Sequence, residues 1–133
     1  MILTSKARYA VTAIIELASS KDNKPLALSL IAKKQNISLF YLEQIFSKLK
    51  KSALVEAIKG PGGGYILLKN PSEISIATII KAIGEPVKMT HCNSSSKACN
   101  SLTSKTKCKT HNLWQGLENI IYQYLDSITL KDI

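Results

Sequence analysis

The sequence predicts a mainly α-helical fold with one small β wing: a winged helix-turn-helix followed by a long C-terminal dimerisation helix. Three observations carry this. Apolar residues recur at helical spacing in five stretches, and two of these stretches meet at the tight turn Asn36-Ile37-Ser38. Two β-prone runs flank the glycine-rich segment Lys59-Gly60-Pro61-Gly62-Gly63-Gly64.

In the first stretch Ala10, Ala13, Ile14 and Leu17 fall at i, i+3, i+4 and i+7, one face of a helix with Thr4 or Ser5 as N-cap. It ends before the turn-like Lys21-Asp22-Asn23-Lys24-Pro25. A short second helix, residues 28–35, turns Leu30 and Ile31 inward and stops at Asn36, a residue suited to the left-handed conformation that closes helices. Ser38 is the expected N-cap of a third helix reaching residue 51, with Leu42, Ile45, Phe46 and Leu49 as its buried stripe. The runs 54–58 and 65–68 form the hairpin, whose glycine-rich tip is the wing. After Asn70-Pro71, the residues Ile76, Ile79, Ile80 and Ile83 mark a fourth helix stopped by Gly84 and Pro86. Residues 88–109 are rich in Ser, Lys, Asn and Thr, hold all three cysteines and lack the apolar content to order themselves. The last helix, about 112–128, carries Leu113, Leu117, Ile120, Ile121, Tyr124, Leu125 and Ile128 on one apolar stripe. That is too much apolar surface for a monomer, so a homodimer is expected, paired about a two-fold axis through Leu113, Leu117, Ile120, Ile121, Tyr124 and Ile128.

Two parts result. Residues 1–70 form a winged helix-turn-helix domain, with the helix-turn-helix at about 28–51 and the wing at about 54–68. Residues 71–133 hold the fourth helix, the cysteine-bearing loop 88–111 and the dimerisation helix 112–128. The chain has 18 basic and 9 acidic residues, a net charge of +9. Eleven of the basic and four of the acidic residues fall in the first seventy positions, so the excess is concentrated where a surface would meet phosphate. No apolar run is long enough to span a membrane, and the first residues do not have the form of a secretion signal. A cytoplasmic protein is expected.

A recognition helix buries one face and offers the other to bases. With Leu42, Ile45 and Leu49 inward, Tyr41, Gln44 and Lys48 line the opposite side, flanked by Glu43 and Ser47. Gln44 suits an adenine edge, Glu43 can accept from cytosine N4, and Lys48, Lys50 and Lys51 suit phosphates. At the wing, Gly60 and Pro61 are expected against the DNA backbone and Lys59 in or near the minor groove. Ser38 stands at the start of the reading helix. The glycine run lacks a following Lys-Ser/Thr and the strand-to-helix context of a phosphate loop, which excludes nucleotide binding of that kind. No histidine and carboxylate are placed to activate a nucleophile, so no enzyme is predicted.

Cys92, Cys99, Cys108 and His111 are spaced C-x6-C-x8-C-x2-H. An odd number of cysteines in a reducing compartment points to metal rather than disulfides. Thiolates and imidazole suit an iron–sulfur cluster or zinc, and spacing leaves that choice open, along with a metal-free thiol sensor. His91 beside Cys92 is read as a bystander.

These residues resemble the winged-helix regulators of iron–sulfur cluster assembly. The likeness runs through Leu3-Thr4-Ser5-Lys6, Arg8-Tyr9-Ala10-Val11-Thr12-Ala13, Tyr41-Leu42-Glu43-Gln44 and Gly60-Pro61-Gly62-Gly63-Gly64-Tyr65, and returns at Lys107-Cys108, Thr110-His111, Leu113-Trp114 and Ile128-Thr129-Leu130. It implies a homodimer binding a [2Fe–2S] cluster through Cys92, Cys99, Cys108 and His111, loaded by the iron–sulfur assembly machinery. It implies too that Tyr41, Glu43 and Gln44 read a palindromic double-stranded operator, that Lys59 lies on the wing, and that cluster occupancy changes operator choice. The chain departs from the family pattern in longer spacers between the cysteines, in Phe40 for a small polar residue, in Lys59 for an arginine, and in ending soon after Leu130.

Overall fold

The computed structural model describes residues 3–89 and 109–133. Helix α1, Ser5–Ala18, starts where the Thr4 hydroxyl accepts a hydrogen bond from the Ala7 amide and buries Ala7, Ala10, Ala13, Ile14 and Leu17. Three alanines in that line bring neighbouring helices close. Helix α2, Leu28–Gln35, ends at Asn36, which takes the left-handed conformation at φ 52. The Ser38 side chain caps α3, Leu39–Lys51, by accepting from the Tyr41 amide at 3.4 Å. The buried residues of α3 are Leu42, Ile45, Phe46 and Leu49, the expected stripe. In α2 the buried pair is Leu28 and Ile31, whereas Leu30 is 58% exposed. An eight-residue helix contacts the core along a single line, and i, i+3 from Leu28 excludes Leu30 from it.

Strands β1, Val55–Ile58, and β2, Gly64–Leu67, pair antiparallel in the register Val55 with Leu67 and Ile58 with Gly64. An isolated bridge from Leu26 to Tyr65 ties the segment before α2 to the other side of β2. The Asn23 side-chain amide reinforces it, donating to the Leu67 carbonyl at 3.0 Å and accepting from the Leu67 amide at 3.3 Å. Helix α4, Ile76–Ala82, is capped by Ser75 and buries Ile76, Ala77, Ile79 and Ile80. Helix α5 spans His111–Ser127.

A single apolar cluster joins α1, α2, α3, the hairpin and α4, and takes in Ile74 and Leu130 near the C-terminus. The chain end is stitched back by main-chain bonds from the Ile76 amide to the Ile128 carbonyl and from the Leu130 amide to the Ile74 carbonyl. Ser75 Oγ donates to Asp126 Oδ1 at 2.8 Å. Helix α5 itself has no buried residue: Leu113, Ile120 and Tyr124 are 61%, 64% and 65% exposed. Leu125 and Ile128 pack against the chain's own core, so Ile128, expected on the intermolecular stripe, is partly used within the chain. Among the described residues no helix is long and apolar enough to cross a membrane.

Candidate nucleic-acid interface

The exposed face of α3 is built by the burial of its other face. With Leu42, Ile45, Phe46 and Leu49 inside, Phe40, Glu43, Gln44 and Ser47 stand on the outer surface at i, i+3, i+4 and i+7. Tyr41 lies at the edge of this face. Its ring meets Tyr9 of α1 edge-on at 5.8 Å between centroids, which anchors the helix start and leaves the ring half-buried. Ser38 is exposed and engaged as the N-cap. Lys50 and Lys51 are exposed in the last turn.

Lys48 departs from expectation. Its Nζ donates to the Ile83 carbonyl at 3.1 Å, so the side chain runs back to the end of α4 rather than outward to phosphate. The neighbouring Lys6 ammonium, by contact and by charge, holds Lys48 below the ordinary lysine value, against an opposing pull from Glu85. Lys6 in turn meets Glu85 at 3.7 Å, and Thr4 Oγ1 donates to Glu85 at 3.0 Å. Thus Lys48 ties the C-terminal half of the reading helix to the exit of α4, while Lys6 and Thr4 tie the start of α1 to Glu85 just beyond it. Helical spacing alone could not reveal this, because the acceptor is a main-chain carbonyl 35 residues away.

The wing tip is a turn closed by the Gly63 amide donating to the Gly60 carbonyl at 2.9 Å, with Pro61 and Gly62 in the middle. Proline followed by a glycine at φ 74 fits a type II turn. Lys59, Gly60 and Pro61 are exposed at this tip. Gly64 has a different role from the one expected of the run. A Cβ there would collide with the Leu26 main chain, so this glycine permits β2 to pair on both sides.

Of the expected metal ligands, Cys92, Cys99 and Cys108 lie outside the described residues. His111 is the first residue of α5 and is half-buried. Among the described residues no three His, Cys, Asp or Glu side chains converge as a metal site would require. Just before the cysteine-bearing segment, the Met89 amide donates to Glu118 Oε1 of α5 at 2.5 Å.

A capped reading helix, a glycine-tipped hairpin beside it and a basic first half define a winged-helix DNA-binding regulator. Comparison with known proteins narrows the class. The model of the Rrf2 family, described as iron-dependent transcriptional regulators, matches residues 3–133. The HTH-type transcriptional regulator IscR of Pectobacterium atrosepticum is 44% identical over the whole chain, which covers 79% of that protein. The regulator of the same name from Vibrio cholerae is 45% identical, with 75% of its length covered. Among solved structures, T. potens IscR superposes with a TM-score of 0.78 at 32% identity, over 99% of this chain and 85% of that one. CymR (YrzC), the global cysteine regulator of B. subtilis, gives the same TM-score and identity, over 99% and 95%. The chain belongs to the Rrf2 family of transcriptional regulators. Its relatives and structural neighbours are regulators, and it is not an enzyme.

Proposed function

We propose that this regulator is a homodimer that senses iron–sulfur status through a [2Fe–2S] cluster on Cys92, Cys99, Cys108 and His111, and that cluster occupancy selects its operators among cluster-assembly genes. The observation that carries this is the union in one chain of a soft three-cysteine, one-histidine donor set with 44% identity over its full length to a regulator named IscR. Fold likeness alone does not choose, since the IscR and CymR structures superpose equally well.

The donor chemistry fits the group. Thiolates are soft ligands for iron, a cytoplasmic setting keeps them reduced, and Lys97, Lys105, Lys107 and Lys109 offset their negative charge. When bound, the cluster would supply a redox-sensitive group that is lost when iron or sulfide is scarce. The chain's own residues supply the coupling. His111 opens α5, and Met89 is held by Glu118 seven residues further along the same helix, about 10 Å at the helical rise. Both flanks of the cysteine-bearing segment therefore rest on the helix whose apolar face is left unfilled. Ligation that orders the segment acts on α5 and so on the separation of two reading heads.

In this reading Ser38, Tyr41, Glu43 and Gln44 enter the major groove, while Lys59, Gly60 and Pro61 follow the backbone beside it. Two-fold symmetry through α5 then calls for a palindromic operator. The absorption spectrum of anaerobically purified protein tests the cofactor. Visible charge-transfer bands with equal iron and sulfide, lost in Cys99→Ala, are expected. A colourless protein holding zinc contradicts the reading.

A further inference from the structure

We propose that Phe40 reads a thymine through its 5-methyl group, a specificity contact added to the polar readers of α3. The inference rests on the reading that this face of α3 enters the major groove. Phe40 is 70% exposed, the highest value among the exposed large apolar side chains of the described residues. The others of similar exposure on α5 form a continuous apolar face, whereas Phe40 stands among Glu43, Gln44 and Ser47. It lies in the first turn of α3, two residues beyond the cap Ser38, and recognition helices reach base edges with their N-terminal residues. An aromatic ring left in water there gives nothing to the core, since the buried stripe of α3 is complete without it.

The chemistry of the groove decides what such a ring can recognise. Major-groove edges present hydrogen-bonding groups, which phenylalanine cannot use, and one apolar group, the thymine methyl. Burying a methyl against an apolar surface is worth about fourfold in affinity. Gln44, one turn further along the same face, suits adenine, so the pair favours A·T steps.

The test uses the full chain. The operator is selected from a randomised duplex pool, and each thymine of the selected site is replaced in turn by deoxyuridine, which lacks only the methyl. Binding is measured by fluorescence anisotropy for wild type, Phe40→Ala, Phe40→Leu and Gln44→Ala, with circular dichroism to verify folding. One thymine per half-site is expected to cost wild type about fourfold when replaced. The same replacement should leave Phe40→Ala unchanged and retain part of its effect in Phe40→Leu. Equal losses in wild type and Phe40→Ala, or no sensitive thymine at all, overturn the proposal. So does a Phe40→Ala protein that binds and discriminates as wild type does, the result expected if the ring docks another protein. Gln44→Ala separates the two levels: if it too binds the selected operator as wild type does, the placement of α3 itself fails.

Discussion

Ala53 closes α3 in the left-handed conformation at φ 57, in the role that Gly84 fills at φ 75 behind α4. The Leu54 amide reaches the Leu49 carbonyl and the Ala53 amide the Lys50 carbonyl, the same paired bonds that follow α4. A Cβ in that conformation is strained, so Ala53→Gly should raise stability by up to about 1 kcal/mol in chemical denaturation. Gly64→Ala should do the reverse, costing about 2 kcal/mol or more by forcing β2 away from Leu26. Asp132 offers a pH test. The Thr129 amide and then its hydroxyl donate to the carboxylate and hold it below its ordinary value of 3.8. A carboxylate lowered in the folded state contributes stability above its unfolded value, lost as pH falls through the folded one. Asp132→Asn should thus lower stability at neutral pH and converge on wild type as pH falls through the folded value, giving a shallower acid limb. For function, Gln44→Ala should cost about 1–3 kcal/mol on the cognate site and much less on random duplex. The outer-face position of Gln44 and Glu43 was legible because helix periodicity separates an inner from an outer face. Lys48 was not, because a long flexible cation on the outer face can turn back to a carbonyl that only the tertiary fold supplies.

At the scale of elements, α3 and its cap followed from sequence because a thirteen-residue helix repeats its apolar pattern often enough to define one face. Leu30 of α2 went the other way. Leu28, Leu30 and Ile31 can be divided between inside and outside in more than one way over eight residues, and packing against α3 chooses Leu28 with Ile31. The stripe of α5 was legible as a stripe, but its division was not. Ser75, bonded to Asp126, and the Ile76 amide, bonded to the Ile128 carbonyl, fasten the end of the helix to α4 and draw Leu125 and Ile128 onto the core. What stays open is the part around Leu113, Ile120 and Tyr124. Ile120→Asp should therefore leave the monomer's fold and melting intact yet convert a dimer to a monomer at micromolar concentration in sedimentation. A wild type that is already monomeric there would contradict the pairing.

Across the whole molecule, charge and cofactor act, in the proposed reading, on the same DNA-binding event. The first seventy residues hold eleven basic against four acidic side chains, so affinity should fall steeply and log-linearly with salt as counterions are released. Lys48, bound at Ile83, should add little to that slope, and Lys48→Gln should change it less than Lys59→Gln. The cysteine-bearing segment enters the account through its ligand types and spacing in the sequence, since Cys92, Cys99 and Cys108 lie outside the described residues. The central claim is that the cluster chooses the operator. The direct measurement is parallel operator selection by the cluster-loaded protein and by the Cys92→Ala, Cys99→Ala, Cys108→Ala triple variant, both shown to be folded dimers. The account predicts two distinct consensus sites, with the variant losing at least tenfold on the site preferred by the loaded protein while binding its own. Identical consensus sites with equal affinities would contradict it.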